Sequence, residues 1–162
     1  MDSKVIVYHG SCDIVRTPDI KHSYRNLDFG KGFYVTTVRE QAERWARRKA
    51  GLSGGKAIVN QYLMSNNMDD FSVKTFSSDL MEWIDFVCDC RDGGLIYDKF
   101  DIIIGKVAND QVFRVVDMYK SGIWDKERAI REIKVYANYD QIAFISQNAI
   151  DKLLKYESYW EI

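Results

Sequence analysis

The chain has 162 residues and a formal net charge of −1, with hydrophobic residues at 46% and aromatics at 14%. That composition excludes disorder and fits a single domain, residues 1–162, with room for a sizeable core. The small net charge gives no broad electrostatic drive towards nucleic acid or an anionic membrane, and no apolar run reaches membrane-spanning length, so a soluble, cytoplasmic protein with no membrane partner is expected.

The opening "MDSKVIVYHG" has too short an apolar stretch for a secretory signal and reads as a first strand over 4–8. "YHGS" at 8–11 follows, where His9 is one of only two histidines in the chain. A loop over 10–30 leads to Gly30 and Gly32, set around Lys31, before a short strand at 32–36. Phe33 and Tyr34 there should face opposite sides. A helix over 38–50 repeats Gln41, Ala42, Trp45 and Ala46 at helical spacing, and the basic run "RWARRK" at 44–49 reads as its solvated face. Residues 56–64 alternate as a half-buried strand, and 71–76 form another.

The stretch 77–92 reads as a helix capped by Ser78, with Leu80, Ile84 and Val87 on its apolar face. A buried strand over 100–108 precedes a helix over 110–121, which Asn109 would cap; the alternative for Asn109 and Asp110 is a substrate loop. Helix 126–137, strand 140–146, a short helix at 147–154 and a strand at 155–161 complete the chain. Strands and helices interleave without a regular βαβ series, so the expected class is α+β, not a doubly wound parallel sheet. Cys12, Cys88 and Cys90 match neither a redox pair nor a zinc knuckle, and with two histidines no metal site is expected.

Three separated elements carry a family likeness. "YHGS", then "FGKGFY" at 29–34, then Trp45 eleven residues after Tyr34 resemble the nicotinamide-binding half of the ADP-ribosyltransferases, in the branch of poly-ADP-ribose polymerase and diphtheria toxin. The second block in that branch reads approximately FGKGIY, so Phe33 replaces an isoleucine. The resemblance implies two packed, bent sheets around an NAD cleft. It places His9 on the ribose hydroxyls and the Gly10 backbone on the nicotinamide carboxamide. Tyr34 and Trp45 would stack on the ring, with Ser11 and Gly32 lining the pocket. Ala42 stands where these enzymes often have a serine that contacts nicotinamide, so one hydrogen bond is missing.

The family's remaining catalytic position, usually a glutamate on a late strand, aligns with Gln141 in "YDQIAFIS" at 139–146. A neutral amide can orient a ribose but cannot act as a general base. The resemblance therefore implies transfer of a single ADP-ribose from NAD to a macromolecular acceptor, protein or nucleic acid, or NAD hydrolysis, in preference to polymer formation. Asp140, Glu127 and Glu132 are alternative acids, and Asp140 should point to the strand face opposite Gln141. Two other readings stay open: an inactive NAD- or ADP-ribose-binding module, and an RNA 2′-phosphotransferase, for which no matching set of arginines stands out. The chain also resembles a bacterial domain family of unknown function allied to these transferases, which implies a toxin or phage-conflict role and an antitoxin protein as partner.

Overall fold

The computed structural model describes residues 3–22, 27–76, 80–108, 112–133 and 135–162. Strand β1 (Lys4–Ser11) runs past the expected end at residue 8, because its antiparallel partner β3 (Ile58–Ser65) keeps pairing as far as Ser11 opposite Ile58. His9 and Gly10 are thus strand residues and not the start of a loop. β7 (Leu154–Glu161) pairs with the other edge of β3 and completes a three-stranded sheet in the order β1-β3-β7.

A second sheet has the order β2-β6-β5-β4, from β2 (Phe33–Val35), β4 (Val73–Thr75), β5 (Ile102–Ala108) and β6 (Val135–Phe144). Its pairs are antiparallel except β4 with β5, which is parallel. The two sheets meet where Tyr8 and Thr36 exchange backbone hydrogen bonds of 2.8 and 2.9 Å.

The helices are α1 (Arg39–Ser53), α2 (Leu80–Arg91), α3 (Val112–Lys120), α4 (Lys126–Glu132) and α5 (Gln147–Leu153). Helix α1 ends at Gly54, whose positive φ of 73° lets its N–H reach the Ala50 carbonyl. Asp125 and Ser146 accept from the backbone N–H groups of Arg128 and Ala149 and cap α4 and α5. The helix expected over 126–137 stops five residues early. Residues 135–137 belong to β6 instead, continuing its pairing with β5 across a bulge between Lys106 and Val107. The ladder supplies backbone hydrogen bonds at a stretch, "VYA", whose valine and tyrosine suit a strand. The caps expected at Ser78 and Asn109, and Asp110, lie outside the described residues.

Three apolar clusters follow from strand alternation. Val7, Phe33, Val35, Tyr62, Ile142 and Phe144 join the inner faces of both sheets to α5. On the outer face of the second sheet, Phe29, Tyr34, Ile103 and Ala143 pack beneath α2–α4, against Trp83 and Trp124 among others. Ala42 and Ala46 of α1 pack on Val59, Tyr8 and Trp160 of the first sheet. The architecture is α+β, with helices over both outer faces, as the irregular order of strands and helices predicts.

Candidate functional site

The two sheets divide just past the Tyr8–Thr36 bridge. Opposed residues of an antiparallel pair share a face, so extending that register sets Gly10 across from Tyr34 on one face, with the backbones splaying apart. The pairing of Tyr34 with Ala143 sets Gln141, two residues back along β6, on the same face. Residues 10, 34 and 141 are thereby gathered around one divide.

His9 points to the other face of β1 and bridges the divide. Its Nδ1 lies 2.6 Å from the Tyr34 carbonyl oxygen, and its ring stacks on Phe33 with centroids 4.3 Å apart. A carbonyl can only accept, so Nδ1 carries the proton of this hydrogen bond.

Gly10 is required for packing. A Cβ there would overlap the Ala42 carbonyl oxygen and lie 2.8 Å from the Ala46 nitrogen, so the glycine lets α1 sit directly on β1. Tyr8 turns its N–H and C=O towards Thr36, and Gly10, two residues on, turns its own the same way, off the β3 ladder. Its carbonyl accepts a 2.9 Å hydrogen bond from Lys49 Nζ. Among the described residues, no acceptor meets the Gly10 N–H.

Tyr34 is 9% exposed and spends its hydroxyl on the preceding turn, donating to the Gly30 carbonyl (2.6 Å) and accepting from the Phe29 N–H (3.0 Å). Burial, reinforced by the negative charge of Asp28, holds this hydroxyl well above the ordinary phenol range, while the Phe29 hydrogen bond and Arg91 pull the other way. Gly30 takes a positive φ of 86° in that turn, and a Cβ at Gly32 would lie 2.5 Å from the Phe144 carbonyl oxygen. The "GKG" pair thus fits the turn against β6.

Gln141 sits in a charged network that the sequence gives little sign of. Its Nε2 donates to the Lys106 carbonyl (3.1 Å) and to Asp28 Oδ2 (3.3 Å). The other carboxylate oxygen, Oδ1, accepts from Arg91 Nε at 2.6 Å and also from Nη2. With both hydrogens of Nε2 spent, Oε1 is the atom Gln141 can present to a ligand. Asp28 directly precedes "FGKGFY", a proximity that could have flagged it; Arg91, at the end of α2, carries no comparable signal.

The remaining expected residues are placed as follows. Ser11 is buried, and its Oγ accepts from the Asp13 N–H, so it shapes the turn after β1. Trp45 is half-buried on α1, one helical turn after Gln41. The Asp140 carboxylate is taken up by the Thr36 and Thr37 hydroxyls and the Thr37 N–H, which assigns it to holding the turn after β2. His9, Tyr34 and Gln141 are all buried, at 3%, 9% and 5% exposure.

No group of three or more metal-ligating side chains occurs among the described residues, and no helix there is long and apolar enough to cross a membrane. A family model described as "Protein of unknown function (DUF3990)" matches residues 5–156. Neither a curated protein nor a solved structure matches the chain.

Proposed function

The chain belongs to the DUF3990 family, and we propose that it is an NAD-dependent mono-ADP-ribosyltransferase, with the split-sheet site as its nicotinamide pocket. One observation carries the reading. Residues far apart in sequence, His9 and Gly10, Tyr34 and Gln141, surround a single divide between two sheets, as the family resemblance requires.

The residues present suit the nicotinamide end of NAD. Gly10 offers a backbone N–H that is turned off its own ladder, and the His9 ring stands beside it, held to the Tyr34 carbonyl. Gln141 offers Oε1, held in place by Asp28 and Lys106. When bound, NAD supplies a carbon–nitrogen bond whose cleavage releases nicotinamide and leaves the ribose carbon open to a nucleophile of the acceptor. Gln141 orients the ribose but takes no full proton, so a single transfer or hydrolysis suits this site better than polymer growth.

A cytoplasmic toxin or phage-conflict role, with an antitoxin protein as partner, belongs to the same proposal and rests on the resemblance. The neutral amide at 141 also supports a second reading, an NAD-binding module without turnover. Incubation with labelled NAD and cell lysate, followed by mass spectrometry, tests both. Free nicotinamide and an ADP-ribosylated acceptor are expected; binding without nicotinamide release selects the module. No nicotinamide release and no thermal shift with NAD would refute both.

A further inference from the structure

Gln41 is 3% exposed, and its Oε1 is buried with no hydrogen-bond donor among the described residues. Native interiors rarely leave a buried acceptor unpaired, because it loses its hydration with nothing in return. The contacts of α1 locate this side chain. On one side, Ala42 and Ala46 rest on Gly10, and Lys49 reaches the Gly10 carbonyl. On the other, the Arg44 guanidinium lies 5.6 Å from the ring centroid of Tyr139 in β6. At about 100° of rotation per residue, Gln41 and Trp45 fall on the helix face between those two contacts. That face looks over the divide between β1 and the second sheet.

Two backbone groups of Gly10 turn towards the same divide, and only one is already used. The carbonyl accepts from Lys49, while no described residue meets the N–H. We infer that Gly10 N–H and Gln41 Oε1 form a donor–acceptor pair that recognises a planar primary carboxamide. The N–H donates to the carboxamide oxygen, and Oε1 accepts from its NH2. This inference rests on the NAD reading and deepens it: the pair selects nicotinamide over nicotinic acid. A carboxylate has no proton to give Oε1, so Gln41 would have to turn its amide and present Nε2, and a full negative charge would enter this buried face.

Thermal shift and titration calorimetry on the full chain, with NAD and nicotinic acid adenine dinucleotide as probes, test the pair. Wild type is expected to bind NAD at least about tenfold more tightly than the acid form. Gln41→Met keeps the length of the side chain without its acceptor. It is expected to raise the melting temperature of the ligand-free protein, because the orphaned oxygen is gone, while weakening NAD about tenfold and abolishing the preference. Gln41→Glu retains an acceptor and keeps the preference for the amide. An unchanged preference in Gln41→Met, or a lower melting temperature without ligand, would overturn the assignment of Gln41 and leave NAD binding standing. If wild type binds neither dinucleotide, the NAD reading falls and the carboxamide pair with it.

Discussion

Replacing Arg91 by methionine removes the cation from a nearly buried pair. Arg91 and Asp28 keep only 13% and 11% of their side-chain surface, and both Nε and Nη2 of Arg91 address the same carboxylate oxygen. Without Arg91, Asp28 retains a single neutral donor in this network, Gln141 Nε2 at a long 3.3 Å. Breaking a buried pair on one side costs about 3–5 kcal/mol, because the surviving charge stays desolvated. The residual exposure places the expected loss near the low end, about 3 kcal/mol. A chain of this size has a urea m-value of about 2 kcal/mol per molar, so the unfolding midpoint should fall by roughly 1.5 M at constant m. Asp28→Asn in the same background removes the stranded charge and keeps an oxygen for Gln141. It should recover about 2 kcal/mol of the loss. A loss below about 1 kcal/mol, or a double variant no more stable than Arg91→Met, would show that the pair does not anchor α2 to the turn before β2.

Tyr34→Phe strips the partner from the Phe29 N–H and the Gly30 carbonyl, so urea unfolding should report a loss of about 2–3 kcal/mol; a loss under 0.5 would mean that this turn holds without it. Gln141→Glu sets a second carboxylate against Asp28 Oδ2. Like charge raises the folded pKa of the new group, so the variant should match wild type below about pH 4.3 and lose ground as pH rises through that raised value. Equal stability at pH 7 would refute this, and the same repulsion gives a physical reason for glutamine at that position. Burial pushes the Cys88 and Cys90 thiols up to about 11 and about 12. Iodoacetamide at pH 8 should therefore modify the half-buried Cys12 and spare the other two until denaturant is added. The stability those neutral thiols contribute is complete below the unfolded thiol pKa of about 8.5 and is lost as pH climbs through their folded values, so urea midpoints should decline across that alkaline range.

The sequence by itself determined the class of the fold and most of its elements. Periodicity located α1 through Ala42 and Ala46 and β3 through its alternation, because each of these segments presents one apolar face to a neighbour. It also singled out "YHGS" and "FGKGFY", since glycine next to histidine and aromatics is a local signal. Other features needed the folded chain. Periodicity placed 135–137 in a helix, and only the pairing of β6 with β5 across its bulge made that stretch a strand. Gly10 stood out in the sequence beside His9, and only the folded chain shows that its missing Cβ is the space in which α1 rests on β1.

At the candidate site, the sequence singled out His9, Tyr34 and Gln141, while their convergence came from the bridge between Tyr8 and Thr36 and the β2–β6 register. Asp28 and Arg91 stand 63 residues apart, and nothing local to either marks the other as its partner. The buried oxygen of Gln41 gave no sign in the sequence, because Gln41 read there as one of the residues at helical spacing along α1. Local pattern encodes which face of an element is apolar. Which polar groups share an interior, and which of them remains unpaired, depends on how strands distant in sequence are brought side by side.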